Sequence, residues 1–214
     1  MDFKILEHPF GKGSRSDRFL ILENSKKSVI KITCDKECYI DSQYTPKLLS
    51  KNNPRFISLK EDKEAIIYQY EFIEGCRLSE CLINDSLFIK IIEMLNYFFK
   101  NGFFVWDCHI DNIVVFNANP FFVDLGGIEK KPYNLLHYIL EFTKEDCPEE
   151  FFAKDYPLSY NTEVFTIYWI AHQIKNRCRL MLTSKTINIL EKMANEKIDG
   201  RYKTFADIFK DLLS

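Results

Sequence analysis

Asp107, Asn112 and Asp124 fall within one short stretch, residues 105–126 (VWDCHIDNIVVFNANPFFVDLG). A carboxylate such as Asp107 suits the task of orienting an attacking hydroxyl and accepting its proton. Asn112 and Asp124 offer hard oxygen ligands of the kind that hold Mg²⁺ against phosphate groups. A tight hairpin between them would bring these two side chains together although they are twelve positions apart in sequence. Lys31, in the apolar run Val29-Ile30-Lys31, reads either as a solvated edge charge or as a buried functional cation. Upstream, Gly11 and Gly13 taken alone read as a plain hairpin turn. The bland reading of Asp107 and Asn112 is that they cap a loop.

The elements that must position these residues follow from the apolar patterning. Strands are expected at Lys4–Phe10, Arg18–Glu23, Ser28–Thr33, Arg55–Lys60 and Ala65–Phe72. One early helix is expected over Asp35–Ser50, with Pro46 disturbing its later half. After Gly75 the period changes. Ser86–Asn101 carries apolar residues at 87, 88, 91, 92, 94, 95, 98 and 99, a wide helical face with Ser86 as its cap and Gly102 at its end. Short strands are expected over Phe103–Phe116 and Phe121–Val123, around a polar loop. Thr162–Asn176 is apolar almost all round, which places it inside a domain. Ser184–Asn195 and Lys203–Leu213 complete the helices. The expected class is α+β, with a small β-rich lobe over residues 1–72 and a larger, mainly helical lobe over residues 73–214.

Composition narrows the function classes. The 214 residues are 46% hydrophobic and 28% charged, an ordinary globular balance. The net charge of −2 gives no basic field for nucleic acid or anionic lipid. The phenylalanines between 98 and 122 read as core, since no basic residues interleave them as on a base-stacking platform. Seven cysteines without a C-x-x-C pair read as buried, reduced thiols rather than a disulfide framework or zinc site. No run approaches a membrane span, and the N-terminal residues lack the apolar core of a secretory signal. The expected location is cytoplasmic, with export by a signal-less route left open. His8, His137 and His172 carry no functional expectation.

The same residues resemble the protein-kinase-like superfamily. Asp107-Cys108-His109-Ile110-Asp111-Asn112 followed by Asp124-Leu125-Gly126 is similar to the catalytic and metal-binding loops of that family. Gly11-Lys12-Gly13-Ser14 resembles its phosphate-covering loop, and Val29-Ile30-Lys31 its lysine strand. Tyr70-Glu71-Phe72-Ile73-Glu74-Gly75 resembles the hinge whose backbone meets adenine. Cys147-Pro148-Glu149, Thr162-Glu163 and Gly200-Arg201 resemble the close of the activation segment, the start of the central helix and the late arginine that pairs with Glu149. The resemblance implies a bilobal fold, with ATP and Mg²⁺ as cofactors. It assigns Asp107 to the acceptor hydroxyl, Lys31 and His109 to phosphate, and Asn112 and Asp124 to the metal. Glu71, Phe72 and Ile73 would meet the nucleotide, and either Glu37 or Asp41 would pair with Lys31.

The implied activity is transfer of the γ-phosphoryl group to Ser or Thr of a protein. Departures from the family pattern keep two alternatives open. Val105 and Trp106 stand where the family has His-Arg, so no cation of the usual kind receives an activating phosphate. His109 stands where Ser/Thr kinases carry Lys, a form similar to aminoglycoside, choline and lipopolysaccharide sugar kinases. A small-molecule or sugar kinase is therefore the first alternative. A pseudokinase that serves as a binding module is the second.

Overall fold

Alternation of apolar residues builds the first unit. The computed structural model describes residues 3–8, 17–33, 54–61, 65–105, 108–124, 128–130, 162–195 and 197–214. Strands β1 (Lys4–Glu7), β2 (Asp17–Glu23), β3 (Lys26–Thr33), β4 (Phe56–Glu61) and β5 (Ile66–Glu71) form one sheet in the order β1-β2-β3-β5-β4. Every neighbouring pair is antiparallel. Asn24 and Ser25 close the β2–β3 hairpin with φ of 49° and 62°. Two successive left-handed residues match the twist of the flanking strands, and this fixes the register. Leu20, Val29, Ile66, Tyr68 and Tyr70 gather on one face as a buried cluster, with Phe72 against it. Burying such side chains contributes about 1.5–3 kcal/mol each.

Helices dominate the second unit. Helix α1 (Asp85–Lys100) buries Leu87, Phe88, Ile91, Ile92, Met94, Leu95, Phe98 and Phe99, the whole apolar face seen in the sequence. Its cap is Asn84 rather than the expected Ser86: the Asn84 side chain accepts from the Leu87 N–H at 2.9 Å. Asn and Ser are near-equal caps, so residue type alone does not choose between them. Gly102 follows the helix at φ +78°, the left-handed stop that glycine adopts without strain. Helix α2 (Thr162–Arg177) is buried without a break from Val164 to Ala171. Helices α3 (Ser184–Met193) and α4 (Phe205–Leu213) start from the Thr183 and Thr204 caps.

Several small elements escape sequence reading. Two-residue β6 (Cys76–Arg77) joins β9 (Ile113–Phe116) and β10 (Asn119–Phe122) in a sheet ordered β10-β9-β6. Gly75 precedes β6 where any Cβ would run into the Val115 carbonyl, so glycine is required there. Strand β7 (Leu82–Asn84) pairs in parallel with β12 (Arg179–Met181), and β8 (Phe103–Val105) pairs with β11 (Ile128–Lys130). The expected continuous strand over Phe103–Phe116 is interrupted between β8 and β9, where a 3₁₀ turn spans Ile110–Asn112. Cys76 is exposed, contrary to the expectation of buried thiols. Its sulfur lies 2.7 Å from that of buried Cys81. Among the described residues no helix is long and apolar enough to cross a membrane.

The chain divides into two compact units. The first comprises Met1–Glu74 and Phe121–Gly126, the second Gly75–Pro120 and Gly127–Ser214. The stretch that carries Asp124 therefore belongs with the N-terminal sheet. The expected Asp35–Ser50 helix lies outside the described residues.

Candidate functional site

In the first unit, strand register decides which side chains meet. Arg18 of β2 sits directly opposite Lys31 of β3, and Leu20 opposite Val29. Tyr68 and Tyr70 of β5 face Lys31 and Val29 in turn. With period two, Arg18 and Lys31 lie on the same face as the apolar cluster, at one end of it. Like charges placed directly across an antiparallel pair repel. Asp124 holds them together: Lys31 Nζ donates to its Oδ1 at 3.2 Å and Arg18 Nη2 to its Oδ2 at 3.1 Å. The three side chains are 15%, 23% and 14% exposed for Lys31, Arg18 and Asp124, so the cluster is largely desolvated. Beside it, burial first and the Asp124 charge second push the Tyr70 hydroxyl well up, so Tyr70 stays neutral and adds no anion.

The expected hinge residues are partly committed to the sheet. The Glu71 N–H donates to the Arg55 carbonyl at 2.9 Å, and the Phe72 N–H to the Lys27 carbonyl at 3.3 Å. These two amides are engaged within the sheet. The Phe72 ring lies under Lys27 Nζ at 5.7 Å. Ile73 is half-buried.

In the second unit, α2 supports the loop that ends at Asn112. Buried Gln173 accepts from the Ile110 N–H at 3.2 Å and donates to the Cys108 carbonyl at 3.1 Å. Thr166 Oγ1 donates to the Val105 carbonyl at 3.3 Å. The Asn112 N–H donates to the His109 carbonyl at 2.9 Å, closing the 3₁₀ turn. Asp111 accepts from Ser79 Oγ at 2.7 Å and from Arg177 Nη2 at 2.9 Å. Burial alone would raise the Asp111 carboxyl. Hydrogen bonds from Ser79 and Arg177, with the charge of Arg177 and His109, bring it below its ordinary value.

His109 is engaged by Arg177 and by Asp111. Arg177 Nη1 lies 2.9 Å from His109 Nε2. Arg177 on Nε2 and the Asp111 N–H on Nδ1, at 3.3 Å, engage both ring nitrogens of His109. Nδ1 in turn faces Asp111 Oδ2 at 3.2 Å. The cation at this loop is Arg177, which the sequence reading did not single out.

Among the expected site residues, the structure brings Lys31 and Asp124 together and adds Arg18, another residue the sequence reading passed over. Asn112 and His109 fall in the second group, beside Asp111, which was not among the expected site residues. Asp107, Gly11, Gly13, Ser14, Glu37 and Asp41 lie outside the described residues, as do Cys147, Pro148 and Glu149. Arg201, the expected partner of Glu149, is buried with its guanidinium 4.1 Å above the Tyr168 ring, and its Nε donates to the Asn195 carbonyl.

The first group fits a magnesium–polyphosphate ligand chemically. Asp124 supplies hard oxygens of the kind Mg²⁺ takes, and the two cations suit phosphate. No cluster of three or more His, Cys, Asp or Glu is arranged for a metal among the described residues. Magnesium needs none, because it draws most of its ligands from phosphate and water. Comparison of the sequence with protein-family models returns no match, and comparison with curated proteins returns no significant relative.

Proposed function

We propose that the chain is an ATP- and Mg²⁺-dependent phosphotransferase of protein-kinase-like fold, acting on a Ser or Thr hydroxyl of a protein. The observation that carries this reading is the ion pair of Lys31 with Asp124, two residues 93 positions apart that the motif reading had independently assigned to one site. In this reading Lys31 neutralises the α and β phosphates. Asp124 would hold Mg²⁺, which would offset charge on the phosphates. Asp107 takes the acceptor proton as the acceptor oxygen–phosphorus bond forms and the bond from the γ-phosphorus to the ADP oxygen breaks. A small-molecule acceptor is the second reading. Helices α2 and α3 are joined by only six residues, which leaves no helix there for docking a protein substrate, and His109 favours the same alternative.

The test uses the purified chain with radiolabelled ATP and Mg²⁺. Autophosphorylation, or transfer to a mixed protein substrate, is expected in the wild type. Lys31→Met and Asp124→Asn are each expected to lower it by about a hundredfold or more, the scale of losing a preorganised charge. ATP with Mg²⁺ at a hundred times the dissociation constant should stabilise the wild type by about 2.7 kcal/mol. Stabilisation without transfer would favour the binding-module alternative. If neither appears, the nucleotide reading is wrong.

A further inference from the structure

Arg18 is the residue that neither the motif nor the fold explains. It stands on the apolar face of the sheet, opposite Lys31, where like charge is least tolerated. One carboxylate, Asp124, serves both cations, one oxygen to each. Two positive charges against one negative leave a surplus of positive charge among these three side chains. Arg18 Nε is in addition buried and without a hydrogen-bond partner among the described residues. A purely structural arginine would not leave a strong donor unmet, since an unsatisfied buried donor costs about 1–3 kcal/mol. Replacing Arg18 by an apolar residue would relieve both defects among the described residues, so the arrangement favours an anion beside Arg18.

We infer that Arg18 is a second phosphate-binding cation, which together with Lys31 grips the polyphosphate chain of a nucleoside di- or triphosphate. The inference rests on reading the Lys31–Asp124 pair as a nucleotide site. A guanidinium offers a planar fork that matches two phosphate oxygens, whereas the Lys31 ammonium acts as a point charge. When the ligand binds, Arg18 turns its fork from Asp124 to phosphate, which would leave Asp124 Oδ2 open to a metal.

Binding of ATP, inorganic tripolyphosphate and adenosine to the wild type and to Arg18→Gln, at low salt by calorimetry, tests this. The variant is expected to bind ATP and tripolyphosphate at least tenfold more weakly, with adenosine unchanged. Equal affinity of the two proteins for ATP and tripolyphosphate would overturn the inference while leaving the nucleotide site standing. Equal weakening for adenosine would overturn it too, because the change would then be general. A wild type that binds none of the three would remove the nucleotide reading and this inference with it. If Arg18→Gln does not fold, the wild type decides the matter. Tripolyphosphate is expected to shield Arg18 from phenylglyoxal, read on the Arg18 peptide by mass spectrometry, and modification at an unchanged rate would overturn the inference.

Discussion

Asp124 and Asp111 are both partly buried aspartates beside an arginine, yet their surroundings differ in kind. Asp124 is held by two cations projecting from strands, Arg18 and Lys31. Asp111 is held by a hydroxyl, a guanidinium and an imidazole, in a loop whose backbone is tied to buried Gln173. The first arrangement keeps an excess of charge and an unmet donor, while the second pairs its groups from several directions. A set of charges with a surplus can exchange partners when an anion arrives. A network in which each group serves another holds its loop in place. The difference is that between charges open to exchange and groups that already satisfy one another.

The largest effect expected from breaking the second arrangement comes at Gln173. Gln173→Leu keeps similar bulk but removes the acceptor of the Ile110 N–H and a donor to the Cys108 carbonyl, in a place only 3% exposed. A loss of about 2–4 kcal/mol is expected from stranding buried backbone groups, read by urea unfolding. A loss under about 0.5 kcal/mol would mean that the loop does not depend on α2, and the contrast between the two aspartates would fail.

A smaller, pH-dependent effect is expected at Asp111. Its carboxyl titrates below the ordinary 3.8 in the folded chain, because Ser79 and Arg177 stabilise the charged form more than burial penalises it. The unfolded chain therefore takes up the proton first as pH falls. The stabilisation from Asp111 is complete above the ordinary value and is lost as pH drops through the lower folded value. Unfolding free energies of wild type and Asp111→Asn should thus differ by a constant amount at neutral pH, with the wild type more stable. That gap should shrink below about pH 4. A gap that stays constant down to about pH 2.5 would show that Asp111 is not held in its charged form.

How much of this was legible in the sequence depends on the range of the interactions. The α1 face was readable residue by residue, because helical period and burial are local and redundant. Lys31 and Asp124 were readable from motif spacing. Arg18 was not singled out, although its partner follows once the turn is placed at Asn24–Ser25, since register then puts it opposite Lys31. The Asn-Ser pair is a weaker hairpin signal than Asn-Gly, and this kept the register hidden. Arg177 lies 66 residues from Asp111, and no local pattern links them. The pairing depends on where α2 packs. The short strands β6, β7 and β12 owe their pairing to tertiary placement, since two or three residues carry no period of their own.

The smallest expected effect concerns the two-residue turns on which the contrast is hung. Asn24–Ser25 sets the register that brings Arg18 to Lys31, and Asn117–Ala118 joins β9 to β10, the strand that leads to Asp124. Three of the four are Asn or Ser, and the exception is Ala118 at φ 56°. A Cβ without a polar group to offset it is strained in the left-handed region by roughly 1–2 kcal/mol. The strain is withstood because Lys90 Nζ donates to the Ala118 carbonyl at 2.8 Å and to Asn119 Oδ1 at 3.1 Å, while Asn119 Nδ2 donates to the Asn117 carbonyl at 3.0 Å. Ala118→Gly removes the Cβ but keeps every one of these bonds, because the bond from Lys90 is to the backbone. Glycine also adds freedom to the unfolded chain, which offsets part of the gain. The expected net is a stabilisation of about 0.5–1 kcal/mol, measured by thermal unfolding. Lys90→Met should act in the opposite sense by a similar amount, since it loosens the brace and leaves the strain. Destabilisation by Ala118→Gly would mean that the turn is not left-handed at that residue, and that β10 enters the Asp124 stretch by another path.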